Sequence, residues 1–158
     1  MKTLVIGERE LKLEYSFEAA EHKDTVQKMF NVVSGAYLAK TGIASAENKD
    51  EDKMASAMID SVSLMVADIP HIVKTAFYSG LLENNPVSEE EAYGLMKQYM
   101  KENKISYAKL FEDIKECMEE DGFFDLSGLT DMIQKMNPET SKKQPKKPQD
   151  HKKPTGTK

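Results

Sequence analysis

Alternation at the start of the chain constrains its fold more than any other feature. In Lys2-Thr-Leu-Val-Ile6, Leu4 and Ile6 alternate with Thr3 and Val5. In Leu11-Lys-Leu-Glu-Tyr15, Leu11, Leu13 and Tyr15 alternate with charged residues. Period two predicts two strands, each with one buried face. Gly7-Glu8-Arg9 lies between them and supplies the permissive backbone that a short hairpin turn requires. A lone hairpin buries too little surface to stand by itself, so residues 3–15 must lie on the rest of the chain, which is patterned almost entirely as helix.

Ser16 is placed to cap a short helix through Phe17, Ala19 and Ala20, and Asp24 to cap the next. After Asp24, Val26, Met29, Phe30, Val33 and Tyr37 share one helical face, with Gly42 as the expected stop. Residues 44–52 are polar and aperiodic and predict a loop. Helical spacing resumes with Met54, Met58, Val62 and Met65. Pro70 then either kinks a long helix or opens a second one. Val73, Ala76 and Phe77 carry the face on to Gly80, and Glu83-Asn-Asn-Pro86 reads as a turn.

Ser88-Glu-Glu-Glu91 is a capping box opening a helix with Ala92, Leu95, Met96 and Tyr99, which ends near Asn103. Ser106 caps the next helix, with Leu110, Phe111, Ile114, Cys117 and Met118 on one side and Gly122 as its stop. A last helix is expected from Asp125 to Met136. The fold class predicted is therefore mainly α: an N-terminal β-hairpin on a bundle of about five to six helices, forming one domain over residues 1–137. Residues 138–158 contain no large apolar side chain and predict a disordered Lys/Pro-rich tail.

Charge separates the same two regions. The chain of 158 residues carries a net −5, but residues 139–158 hold seven Lys against Glu139 and Asp150, a net +5, which leaves −10 on the body. An acidic body is a poor match for a phosphate backbone, so no nucleic-acid partner is expected. No apolar run approaches the ~18 residues of a membrane span, and Met1-Lys2 leads into an alternating strand, not a signal peptide. A cytoplasmic protein is the expectation.

Signatures of chemistry are missing from the pattern. Cys117 is the single cysteine, so neither an intrachain disulfide nor a Cys-based zinc site is available, and its place on an apolar helix face reads as core. His22, His71 and His151 are far apart in sequence. The glycines form no phosphate loop. An EF-hand reading that places Gly122 at the sixth loop position puts Cys117 at the first, where an acid is required. With no nucleophile–base or paired-carboxylate arrangement, no enzyme activity, cofactor or metal is expected.

Two features remain. Methionine is frequent in the predicted helices, and flexible thioethers suit both an irregular core and an adaptable binding groove. The stripe Met54, Met58, Val62 and Met65, with Phe77, is the candidate partner-binding surface, for a client helix or a second copy of the chain. The basic tail is the other, as a solubilising segment, a linker or an electrostatic contact.

Together, the hairpin with its Gly turn (Leu4-Val-Ile-Gly7-Glu and Leu11-Lys-Leu-Glu-Tyr15), the step into helix at Ser16-Phe17-Glu-Ala-Ala20, the acidic helical body and the Ser88 capping-box helix resemble the tail assembly chaperones of long-tailed phages of Gram-positive bacteria. The resemblance spans residues 2–136. It implies a non-enzymatic chaperone that coats the tape measure protein until tail tube subunits replace it, acting in the host cytoplasm and absent from the mature virion. It also implies a ribosomal frameshift near the end of the reading frame, adding a domain that recruits the tube protein. The pairs Lys142-Lys143, Lys146-Lys147 and Lys152-Lys153 are residues that A-rich slippery codons encode. The alternative reading is a helical adaptor or regulator that binds a partner helix through an apolar groove.

Overall fold

The computed structural model describes residues 1–35 and 51–136. The expectations for Tyr37, the Gly42 stop, residues 44–50 and the tail lie outside them.

The opening hairpin is formed by β1 (Lys2–Ile6) and β2 (Arg9–Leu13), paired antiparallel with Leu4 opposite Leu11 and Ile6 opposite Arg9. That register leaves Gly7-Glu8 as a two-residue connection. Gly7 has φ 60° while Glu8 does not enter the left-handed region, the pattern of a type II′ turn, whose twist matches that of the strands. The inward face carries Leu4, Ile6, Leu11 and Leu13, all buried, and Tyr15 continues it; Val5 points to solvent.

Seven helices come after the hairpin among the described residues: α1 (Phe17–Glu21), α2 (Lys23–Val33), α3 (Glu51–Leu81), α4 (Glu89–Asn103), α5 (Tyr107–Glu120), α6 (Phe123–Leu126) and α7 (Leu129–Met136). The axis of the fold is α3. Its C-terminal half packs against β2, α1, α2, α4 and α5, and Ile72, Val73, Ala76, Phe77 and Leu81 are buried there. The hairpin lies on this layer. The Glu14 N–H donates to Gly80 O (2.8 Å) and the Tyr15 hydroxyl to Ala76 O (3.2 Å). The turn is held from α4, where Glu102 accepts from Gly7 N (3.1 Å) and Glu91 pairs with Arg9 (2.9 Å).

Pro70 lies inside one continuous 31-residue helix, so of the two readings of that proline, a second helix opening there does not hold. Glu51 and Asp52, expected in the loop, are already helical. The caps of α4 and α5 are as expected: Ser88 accepts from Glu91 N (3.1 Å) and Ser106 from Lys109 N (3.2 Å).

Several local expectations are corrected. Ser16 flanks α1, but its hydroxyl donates to Glu83 (2.9 Å) and makes no cap bond; Glu83 itself reaches Glu18 N (3.4 Å). The N-cap of α2 is His22, whose Nδ1 accepts from Thr25 N (3.3 Å), leaving Asp24 in the first turn. Helix α2 ends at Val33, where Ser34 and Gly35 (φ 69°) turn the chain well before Gly42. The single last helix is two, because Gly128 (φ 74°) breaks the run between Leu126 and Leu129.

Candidate partner-binding site

One apolar stripe runs along α3 from Met58 to Phe77. At 3.6 residues per turn, Met58, Val62, Val66, Ile69, Val73 and Phe77 fall within an arc of roughly 120°. The body covers only part of it. Val66 is 55% exposed; one turn later Ile69 is 8% exposed, and Val73 and Phe77 are completely buried. The boundary falls at the turn before Pro70.

Toward the N-terminus of that boundary, Met58 (61% exposed) and Val62 (56%) lie open to solvent, together with Ile59. Met58, Ile59, Val62 and Ser63 line a shallow apolar concavity. Of the residues singled out from the sequence, Met58 and Val62 are therefore on this surface and Met65 is half-buried beside it. Phe77 is not: it belongs to the core, packed beneath the hairpin layer, and is corrected accordingly. The Met54 side chain lies outside the described part. Ile59 and Val66 were missed, although each sits directly beside a chosen stripe position.

The methionines divide between two roles. Met29, Met96 and Met118 are fully buried, whereas Met58, Met132 and Met136 are half or more exposed. The last two belong to α7, whose Leu129 is buried. Beside that helix a more polar groove is lined by Val33, Lys115, Glu119, Phe124, Ile133 and Gln134.

The polar centre of the body is Asp121, which closes α5. Its carboxylate accepts from Tyr15 N (2.9 Å), from the Cys117 thiol (3.5 Å) and from the Met1 amino group. Burial works to raise its pKa, but these donors outweigh it and hold the carboxyl below its ordinary value. Cys117 shows the opposite result: burial, then the Asp121 charge, pushes its thiol up to about 11. Such a thiol is protonated at neutral pH and a poor nucleophile. Burial likewise raises the Tyr15 phenol well above its usual range. These groups fasten β2 to α5.

No protein-family model, curated protein or solved structure matches this chain. Among the described residues no group of three His, Cys, Asp or Glu side chains is placed to hold a metal ion, and no helix is long and apolar enough to cross a membrane. Among the described residues, the open half of α3 leaves Met58, Ile59, Val62 and Val66 more than half exposed.

Proposed function

We propose that this chain is a non-enzymatic chaperone for a long helical client, and that the client helix lies along the open half of α3. The observation that carries the reading is the continuation of one apolar stripe from the buried core out into solvent. Contiguous apolar surface of this kind marks interaction sites, and an amphipathic helix is recognised by laying its apolar face in such a place. Met58 and Met65 suit a client of varied sequence, because a thioether repacks against different shapes at low strain.

The resemblance of the hairpin-plus-helices pattern names the client class. On this reading the chain is a phage tail assembly chaperone. It shields the tape measure protein in the host cytoplasm, helps recruit tail tube subunits, partly through a frameshifted longer product, and leaves before the virion matures. The deciding experiment is co-expression with a phage tape measure protein. A complex that keeps the tape measure protein in solution, and is lost when Met58 and Val62 become Gln, supports the proposal. A tape measure protein that aggregates equally with and without this chain refutes it.

The groove beside α7 favours the second reading, an adaptor that takes one partner helix there. It predicts loss of binding on changing Phe124 or Ile133 with no effect of Met58.

A further inference from the structure

We infer that the open half of α3 pairs antiparallel with the same segment of a second copy, about a two-fold axis through Val62. Three observations carry this. The first is the symmetry of the face itself. The apolar residues are centred on Val62: Met58 and Val66 lie four residues to either side, and Ile59 and Met65 three residues to either side. A two-fold contact requires a patch that complements itself. Antiparallel pairing about Val62 sets Met58 against Val66 and Ile59 against Met65, so every apolar residue meets another.

The second observation is where the body begins. Along the apolar stripe burial sets in at Ile69, although Ser61 on the flank of the helix is already buried. Parallel pairing would bring two bodies side by side at the same end of the helix pair. Antiparallel pairing places them at opposite ends, and a crossing of about 20–50° carries each first turn away from the other body. Charge agrees with this arrangement. Parallel pairing in register would align Asp60 with Asp60 and Asp68 with Asp68 at equal heights; antiparallel pairing offsets the two Asp60 residues by about 6 Å and the two Asp68 residues by about 18 Å along the axis.

The third is area. Five apolar side chains, four of them more than half exposed, make a patch well short of the roughly 20–30 residues a side of a standard stable complex. The pair is therefore reversible, formed at high concentration and displaced when a better-matched client helix arrives. Pairing uses the same face as the proposed client but does not depend on that proposal.

Sedimentation of the full chain from about 5 to 500 μM tests it, together with a Val62→Cys variant under mild oxidation; Cys117 is buried and does not compete. The expected results are a mass rising from one chain toward two, at least tenfold weaker association for Val62→Asp, and a disulfide dimer of Val62→Cys. Val5→Cys, exposed on the hairpin, serves as the control and should cross-link far more slowly. A one-chain mass throughout, a Val62→Asp curve matching the parent, or equal cross-linking of the two cysteine variants would each overturn the pairing. A monomer that still captures the client would overturn this inference alone. A dimer through Val62 that ignores the client would remove the proposed function and leave the pairing.

Discussion

Gly80 of α3 lies flush against the ring of Tyr15. A Cβ built on it would meet Cζ at 2.7 Å and the phenolic oxygen at 2.8 Å. The ring is completely buried, and its hydroxyl is tied to Ala76 O one turn earlier on the same helix. The absence of a side chain at position 80 is what lets the strand lie directly on the helix, with Glu14 N bonded to Gly80 O.

Gly80→Ala is therefore expected to destabilise the fold by about 1–3 kcal/mol, as overpacking does, even though alanine favours helix over glycine by about 1 kcal/mol. Chemical denaturation gives the sign. A stabilised variant would mean that the hairpin does not sit on α3 at this spacing.

Changes on the two halves of the α3 stripe should behave in opposite ways. Met58→Gln with Val62→Gln is expected to stay within about 0.5 kcal/mol per site, the usual range for surface positions, while reducing client binding. Phe77→Ala should cost about 3–5 kcal/mol. Equal losses at both halves would place Met58 and Val62 in the core.

Acid stability should report on Asp121. Its folded pKa lies below the ordinary value of 3.8. The contribution is thus fully present above that value and is lost as pH falls through the lower, folded one. Asp121→Asn should flatten the decline of stability below about pH 4. The measurement is urea unfolding at a series of pH values. Asp113, also held low, though by surface pairs with Lys109 and Lys2, should contribute less because such pairs are screened by solvent. An unchanged acid slope in Asp121→Asn would show that its bonds to Tyr15 and Met1 add nothing to stability.

Cys117 should resist alkylation. With its thiol pushed up to about 11 and its surface buried, folded protein treated with iodoacetamide at pH 8 should remain unmodified while denatured protein is labelled fully. Mass spectrometry reads the difference. Equally rapid labelling of both would contradict the burial of α5 against β2.

Much of this architecture was legible because its signals are local. The hairpin follows from period-two alternation, and the caps at Ser88 and Ser106 from a hydroxyl three residues before its target N–H. The features that were not legible were decided by partners distant in sequence. Ser16 carries the right side chain for a cap, but Glu83 arrives from the far end of α3 and takes its hydroxyl. Gly128 sits inside an acceptable helical pattern, and only its left-handed backbone ends the run. The candidate surface shows the same limit. Met58 and Phe77 obey one periodicity, and nothing within it marks where the body stops covering the helix. That boundary is set by the arrival of β2, α4 and α5 along α3.

Pro70 gives that boundary an energetic meaning. A proline has no N–H to offer the carbonyl four residues earlier, that of Val66, so the backbone ladder of α3 is thinnest just where its packed half begins. The two halves should then open as separate units. Amides from Ile72 to Leu81 should exchange only when the whole protein unfolds. Those from Met58 to Val66 should exchange through a much smaller opening, until something lies down on them. Slowing of exchange in that half alone would reveal the arrival of a partner before any partner had been named.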